Sequence, residues 1–199
     1  MSGEIIVTTI FGAVGPDTAD RLLAAEVSRV CGLLPDEVEI ARKCARCGGY
    51  THGRPVVTTP GGPFVSLSRA DGVVAVAVSP DSPVGIDVER VAAGAFPGFA
   101  DVALHPQERA SSPRECSMLW VRKEALLKAT GHGLHLDPRQ VRISDGEQEP
   151  RLLAWPEQPV PAVHLLDLEL GDWVACVAVL GGQSPQVTLR QGDRAALAG

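Results

Sequence analysis

Aromatic residues, lysines and long apolar segments are scarce in this chain of 199 residues. Aromatic side chains make up 4% of the sequence, and three of its 18 basic residues are lysines. No apolar run approaches the roughly 20 residues that cross a bilayer, and the amino end lacks a basic segment followed by an apolar one. We therefore expect neither a membrane protein nor an exported one.

Positive charge is also in short supply, because the formal net charge is -6. An acidic chain binds nucleic acid poorly, so we expect no nucleic-acid partner and only local anion sites. Five cysteines, an odd number, are typical of reduced thiols in the cytoplasm when no export signal is present. With 45% hydrophobic residues, the chain is long enough to bury a core as one domain or two small ones.

One stretch carries clear signals for both ends of a helix. Ser112 and Glu115 form a capping-box pattern, with Pro113 at the first helical position. Gly131 stands where a left-handed C-terminal cap belongs. These signals predict a helix from Pro113 to Thr130.

Glu124 and Lys128 are four residues apart in this helix and therefore project from one face. Two of the three lysines, Lys123 and Lys128, lie here, although the chain otherwise uses arginine for positive charge. A compact ammonium group suits a phosphate oxygen or a proton transfer, so the helix is a candidate for catalysis. The alternative is an ordinary surface ion pair between Glu124 and Lys128.

Strand and helix patterns alternate along the rest of the chain. The Pro-rich segment Ser79–Pro83 divides it into an N-terminal half, residues 1–83, and a C-terminal half, residues 84–199. The predicted strands and helices of the first half are Glu4–Phe11, the helix Asp17–Val30, Val38–Ala41 and a hairpin at Phe64–Val78 that turns at Ala70–Gly72. Those of the second half are Val84–Val91, Phe99–Leu104, and an antiparallel set at Val141–Ser144, Arg151–Trp155, Ala162–Leu170 and Trp173–Leu180.

A weak internal repeat connects the two halves. Asp71–Val78 resembles Asp172–Val179, and each ends a predicted hairpin. Apolar strands often look alike, so chance is one explanation. The other is two related halves, each a helix packed on a small antiparallel sheet, with a site in the crevice between them. The residues from Gly181 on are predicted to form a poorly ordered tail.

Basic residues are concentrated in one part of the first half. Residues 41–70 contain no acidic residue, so in an acidic protein this is the obvious place to receive phosphate groups. The basic residues there are Arg42, Lys43, Arg46, Arg54 and Arg69.

Three carboxylates are candidates to form a metal site. Asp87 and Glu89 leave the same face of the strand Val84–Val91, and Glu124 lies on the helix. Like charges about 4 Å apart cost on the order of 4 kcal/mol per pair, which a divalent cation would offset. Oxygen ligands beside phosphate groups favour Mg²⁺. The alternative is two solvated carboxylates beside an unrelated helix.

These motifs carry a resemblance to a known family. Gly85–Glu89, Gly-Ile-Asp-Val-Glu, followed by Trp120–Lys128, Trp-Val-Arg-Lys-Glu-Ala-Leu-Leu-Lys, resembles the paired signature of the 4′-phosphopantetheinyl transferase superfamily. It resembles in particular the larger monomeric, surfactin-synthetase-activating class that primes peptide and polyketide synthases. His52–Pro55 resembles the basic Gly-Pro motif that precedes the signature, and Phe64–Ser68 resembles the strand after that motif. The resemblance runs from about Asp17 to Val179.

The resemblance implies an α+β fold of two similar halves related by a pseudo-two-fold axis. The N-terminal half would bind coenzyme A, and the C-terminal half would hold the metal and catalytic motifs. The implied enzyme is a cytoplasmic, monomeric holo-acyl-carrier-protein synthase. With Mg²⁺, it would transfer the phosphopantetheine arm of coenzyme A to a serine of an acyl or peptidyl carrier protein and release adenosine 3′,5′-bisphosphate.

The resemblance also implies roles for individual residues. Asp87, Glu89 and Glu124 would hold Mg²⁺, and Glu124 would take the proton of the serine hydroxyl. Lys128 would stabilise charge on the phosphate under attack. The remaining implied contacts to coenzyme A are Lys123, Arg21, Arg54, Ser68 and the position of Arg69.

The sequence departs from the family pattern in two places. Arg69 and Ala70 follow Ser68 where the family usually has His and Ser. The longer guanidinium keeps a positive donor but needs different room. The amino end before Arg21 has no basic side chain, where other members place some of their contacts. Either the affinity for coenzyme A is lower, or Arg42, Lys43 or Arg46 replaces those contacts.

Two alternative functions remain open at this stage. The first is a catalytically weak relative that binds coenzyme A or a carrier protein without transfer. The second is a zinc-stabilised binding module, because Cys44, Cys47 and His52 have the residue types of a zinc site. A fourth ligand would have to come from another His or from a cysteine elsewhere, and packed thiols near a turn are the simpler explanation. The other cysteines are Cys31, Cys116 and Cys176.

Overall fold

The computed structural model describes residues 3–12, 15, 17–44, 47–50, 52–91 and 96–193. Its helices are α1 (Thr18–Cys31), α2 (Phe99–Ala103) and α3 (Pro113–Thr130). Its strands are β1 (Ile5–Phe11), β2 (Ile40–Lys43), β3 (Arg54–Val57), β4 (Phe64–Ala70), β5 (Val73–Ser79), β6 (Val84–Arg90), β7 (Arg142–Ile143), β8 (Leu152–Ala154), β9 (Val163–Leu170), β10 (Trp173–Leu180) and β11 (Val187–Gln191). The fold is therefore mixed α+β, with small, mainly antiparallel sheets. Arg46 lies outside the described residues.

The first sheet has the strand order β11-β1-β5-β4 and carries α1 on one face. β4 and β5 form the predicted hairpin, which turns at Asp71 and Gly72. Val74, Val76 and Val78 of β5 pack against Leu22 and Leu23 of α1. The alternate residues of β5 are small or β-branched and face the other way, into a second cluster.

The second sheet has the strand order β6-β10-β9 and carries α3 on one face. Val174, Cys176 and Ala178 of β10 pack with α3, whereas the alternate residues of β10 pack with β5 and β6. The two sheets therefore lie face to face between α1 and α3, and period two gives each inner strand two buried faces.

The repeated segments occupy equivalent places in this arrangement. Asp71–Val78 leads into β5 and Asp172–Val179 leads into β10, and each of these strands is central in its sheet. Each strand is also the second strand of an antiparallel hairpin. Both central strands need apolar residues on both faces, which is one reason for their similarity. The pseudo-two-fold axis stays a prediction.

Two predictions about the C-terminal part are corrected by the structure. The prediction of a poorly ordered tail from Gly181 on is wrong for Val187–Gln191. These residues form β11, which pairs in parallel with β1 from Ile5 to Thr9. β11 therefore joins the sheet of the N-terminal half across the predicted division. The predicted antiparallel set is also split, since β7 and β8 form a separate two-stranded sheet. Among the described helices, none has the length and apolar character needed to cross a bilayer.

Candidate active site

α3 carries the candidate catalytic residues, and both of its ends are fixed as predicted. Ser112 Oγ accepts the backbone N–H of Glu115, and Glu115 Oε2 accepts the backbone N–H of Ser112, each at 3.2 Å. Gly131 caps the C-terminus with φ 79°, a left-handed conformation that strongly favours glycine. The helix therefore presents Glu124 and Lys128 from a rigid position.

Gly85 on β6 brings the strand and the helix together. A Cβ atom at Gly85 would lie 2.0 Å from the backbone oxygen of Ala125 and 2.6 Å from the backbone nitrogen of Ala129. Because side chains alternate along a strand, Asp87 and Glu89 leave the same face of β6 as Gly85, toward α3. The absence of a side chain at Gly85 thus allows the carboxylates of β6 to approach Glu124 and Lys128.

We predict that Gly85→Ala destabilises the protein by about 3 kcal/mol, the upper end for overpacking, because backbone atoms of α3 must move. Urea unfolding measures this change. Gly182→Ala is the matched control, since no atom lies within 4 Å of a Cβ at Gly182. Equal stability of the two variants would contradict the close approach of β6 and α3.

Asp87 is the centre of the hydrogen-bonded cluster between β4, β6 and α3. Its Oδ1 atom accepts the Ser68 hydroxyl and the Lys128 ammonium group, each at 2.7 Å. Lys128 also donates to the backbone oxygens of Ile86, at 3.0 Å, and Leu67, at 3.4 Å. Lys128 of α3 thus forms its ion pair with Asp87 of β6. Among the described residues, no ion pair joins Glu124 and Lys128.

The other two carboxyl groups of the cluster hold protons more tightly than usual. Burial, with the negative charge of Asp87 as the next cause, raises the pKa of Glu124 to about 7. The same two causes raise the pKa of Glu89. The three carboxyl groups Asp87, Glu89 and Glu124 therefore lie within electrostatic range of one another. A carboxyl group with a pKa near neutrality is suited to accept a proton.

The cluster has acceptor atoms to offer a cation. Asp87 Oδ2 and Glu124 Oε1 are buried oxygens that accept no hydrogen bond from any described residue. Buried acceptors without donors are costly, and a divalent cation would satisfy them. However, no choice of one carboxylate oxygen from each of Asp87, Glu89 and Glu124 puts all three oxygens within 4.8 Å of one another. The oxygen atoms of the cluster thus suit a hard cation. The three carboxylates lie further apart than ligands that are already arranged around an ion.

A cavity of about 380 Å³ opens beside this cluster. Its lining includes Glu124 and Lys128 of α3, called here the acidic side, and the basic residues Arg42, Lys43 and Arg54 of β2 and β3, called the basic side. Apolar side chains and the backbone around Gly131 complete the wall. The predicted phosphate-binding stretch and the predicted catalytic helix therefore face one cavity, whose volume is typical of small-molecule sites.

The family comparison concerns the half of the chain that holds these carboxylates. Residues 83–178 match the family model of the 4′-phosphopantetheinyl transferase superfamily. The matched range includes Asp87, Glu89, Glu124 and Lys128, and phosphopantetheine transfer from coenzyme A is the general activity it indicates. No curated protein matches the chain.

The basic side of the cavity lies outside the range that matches the transferase superfamily. Arg54 lies beside the C-terminal cap of α3, since a Cβ at Gly131 would be 3.0 Å from its guanidinium. Asp20 on α1 forms ion pairs with Arg42 and, at 3.7 Å, with Arg69. Arg69 does not line the cavity, but it shares a carboxylate with a residue that does.

The structure places two of the implied coenzyme contacts away from the cavity wall. Arg21 is exposed on α1. Ser68 is 6% exposed, and its hydroxyl donates to Asp87. Ser68 therefore orients the central carboxylate of the cluster, a role that the sequence did not indicate.

Lys123, a further implied contact, does not line the cavity either. It is 0% exposed and donates to Glu108 Oε2 and the backbone oxygen of Ala103, each at 2.6 Å. It also donates to the backbone oxygen of Pro138 at 3.0 Å. Burial lowers the pKa of Lys123, which the hydrogen bond to Glu108 opposes. Lys123 thus ties α3 to neighbouring segments, and sequence reasoning missed its partner Glu108.

We predict that Lys123→Met destabilises the protein by about 3–5 kcal/mol, because the Glu108 carboxylate remains buried without its cation. The double variant Lys123→Met/Glu108→Gln removes that charge and keeps an acceptor for the backbone N–H of Ile143, so it should regain part of the loss. Urea unfolding gives the stabilities, and calorimetry gives the affinity for coenzyme A. Unchanged stability with lost coenzyme affinity would instead assign Lys123 to binding.

Proposed function

We propose that this protein transfers the 4′-phosphopantetheine arm of coenzyme A to a serine of an acyl or peptidyl carrier protein, and releases adenosine 3′,5′-bisphosphate. One observation carries the proposal. Glu124, which lies within electrostatic range of Asp87 and Glu89, lines one cavity together with Lys128 and with the basic side chains Arg42, Lys43 and Arg54 of β2 and β3. Phosphoryl transfer requires positioning and charge neutralisation, and this arrangement supplies both.

The basic side of the cavity binds the adenosine end in this proposal. Arg42, Lys43 and Arg54 offer charged donors to phosphate oxygens. Asp20 holds Arg42 and Arg69 near each other, so Arg69 supports the same anion site where the family usually has histidine. The pyrophosphate then extends toward Glu124 and Lys128.

The acidic side performs the transfer. The serine oxygen attacks the phosphorus atom that carries the pantetheine arm, and the bond from that phosphorus to the departing adenosine bisphosphate breaks. Glu124 accepts the proton of the serine hydroxyl, directly or through water, and a pKa of about 7 suits this role. The Lys128 ammonium group stabilises negative charge on the phosphate oxygens.

Asp87, Glu89 and Glu124 are the residues that would hold a divalent cation, and Mg²⁺ suits their oxygen ligands. Such a cation neutralises charge on the pyrophosphate when it is bound. Lys128 already neutralises one oxygen of Asp87, which leaves Oδ2 of the same carboxylate available.

The proposed class is the larger monomeric, surfactin-synthetase-activating one, and the proposed location is the cytoplasm. The two halves of that class, related by a pseudo-two-fold axis, agree with two helix-covered sheets packed face to face. We propose that residues 1–83 mainly bind coenzyme A and that residues 84–199 hold the catalytic groups.

The product released from coenzyme A tests this function. We expect adenosine 3′,5′-bisphosphate to appear by liquid chromatography when the protein, coenzyme A, Mg²⁺ and an apo carrier protein are mixed. A carrier whose acceptor serine is changed to alanine should give none, and a chelator should stop release. Coenzyme A binding without release on any carrier of a broad panel would favour the weak relative that only binds.

A further inference from the structure

The loop between β2 and β3 holds a group of three side chains with metal-ligating atoms. One ligand atom each from Cys44, Cys47 and His52 lies within 4.8 Å of the other two. Cys47 Sγ and His52 Nε2 are 3.7 Å apart. Within the described ranges of the chain, this is the only set of three Cys, His, Asp or Glu residues that meets the same distance.

Backbone hydrogen bonds link Cys44 to Gly48 and Gly49. Gly48 donates its N–H to the backbone oxygen of Cys44 at 3.0 Å, and Cys44 donates to the backbone oxygen of Gly49 at 2.9 Å. Gly49 donates its N–H to Cys47 Sγ at 3.4 Å. Cys47 Sγ is therefore held close to the backbone of its own loop.

The hairpin that carries these residues is small. β2 and β3 each have four residues and form a two-stranded sheet, which is marginally stable alone. Gly53 has φ 102°, and a Cβ there would lie 2.3 Å from the backbone oxygen of Lys43. The chain thus returns in close contact with the cysteine arm, and a cross-link here would fix both arms.

We propose that Cys44, Cys47 and His52 bind Zn²⁺, with a water molecule as the fourth ligand. Two thiolates and an imidazole are ligands that select zinc over the hard cations that carboxylates prefer. Cys47 and His52 are exposed, so the ion can reach them from solvent. Among the described residues, no fourth Cys, His, Asp or Glu joins this group at the same distance, so the fourth ligand is assigned to water.

The zinc site adjoins the cavity and is separate from the acidic cluster. Cys44 and His52 line the cavity together with their neighbours Lys43 and Arg54. Lys43 and Arg54 are paired in the β2–β3 register. Zinc therefore holds together the two arms that carry these basic side chains.

Metal analysis of the purified full-length protein tests the proposal. After preparation under reducing conditions, we expect about one zinc ion per chain by plasma mass spectrometry. Cys31→Ser, at an exposed cysteine outside the group, should keep it, whereas Cys47→Ser and His52→Ala should lower zinc affinity by at least about 10-fold. Circular dichroism confirms that each variant is folded.

Cobalt provides a second measurement that does not depend on expression conditions. Metal-stripped protein titrated with Co²⁺ should develop thiolate-to-cobalt charge-transfer bands and the visible bands of tetrahedral Co²⁺. These bands should weaken in Cys47→Ser and remain in Cys31→Ser. Absent zinc and identical cobalt spectra in the two variants would overturn the proposal, as would a Cys44–Cys47 disulfide in the reduced preparation.

Discussion

Glu124→Gln is expected to lower transfer by about 10³-fold or more while it stabilises the metal-free protein above neutral pH. The loss of activity follows because glutamine can neither accept the serine proton nor supply a charged ligand to a cation. The gain in stability has a different origin. It follows from the burial of Glu124 beside Asp87, which raises its pKa to about 7.

The direction of this stability change depends on pH. The unfolded carboxyl group loses its proton near pH 4.5, whereas the folded one keeps it up to about pH 7. The stability from this proton is fully present below the unfolded pKa and is lost as the pH rises through the folded pKa, by about 3 kcal/mol in total. Glutamine stays neutral, so the variant avoids that loss.

Urea unfolding in the presence of chelator, at about pH 5 and about pH 8, measures the difference. The free energy of unfolding of Glu124→Gln should exceed that of the unmodified protein at the higher pH and approach it at the lower. Glu147→Gln, at an exposed position outside the cluster, is the control and should change neither stability nor transfer. A variant that is less stable at the higher pH would contradict the buried, charge-crowded environment.

Asp87→Asn is expected to lower transfer by about 10³-fold or more, with the fold retained. Asparagine keeps an oxygen for Ser68 and Lys128, which both donate to Oδ1. It replaces the unpaired oxygen Oδ2 with an amide nitrogen, which cannot bind a cation. The loss of charge removes several kcal/mol of transition-state stabilisation, and each 1.36 kcal/mol is about tenfold in rate.

Initial rates at increasing Mg²⁺ concentrations measure this effect, and calorimetry measures coenzyme A binding. Raising Mg²⁺ should not restore the rate, whereas the affinity for coenzyme A should change by less than about tenfold because the basic side of the cavity is intact. Asp71→Asn removes an exposed ion pair with Arg90 and should leave the rate unchanged. Recovery of Asp87→Asn at high Mg²⁺ would show that Asp87 only tunes affinity.

The parts of the fold that the sequence predicted are those with local signals. α3 could be predicted from Ser112, Glu115 and Gly131 because capping depends on residues within one turn. The β4–β5 hairpin followed from its glycine turn and its β-branched strands. Both α3 and the β4–β5 hairpin can therefore be predicted without knowledge of contacts to distant parts of the chain.

The parts that could not be predicted depend on distant contacts. β11 has little apolar character, and it is a strand because it pairs with β1 at the opposite end of the chain. The burial of Lys123 depends on Glu108, which lies in a loop before the helix. Nothing local marks either arrangement.

The candidate site was only partly accessible from the sequence. Alternation along β6 placed Asp87 and Glu89 on one face, and the family resemblance added Glu124. The pairing of Lys128 with Asp87 instead of Glu124 depends on how closely β6 meets α3. That distance is set by Gly85, because a side chain there would meet the backbone of α3. The residues next to Gly85 in the sequence do not indicate this contact.

Intact-mass spectrometry of an apo carrier protein tests the central claim most directly. The carrier is incubated with coenzyme A and Mg²⁺ and either the unmodified protein or Asp87→Asn. The unmodified protein should add the mass of one phosphopantetheine arm to the carrier, and Asp87→Asn should leave nearly all of the carrier unchanged over the same time. Equal modification by both proteins would contradict the role of the acidic cluster, and no modification by either on any carrier of a broad panel would contradict the transferase itself.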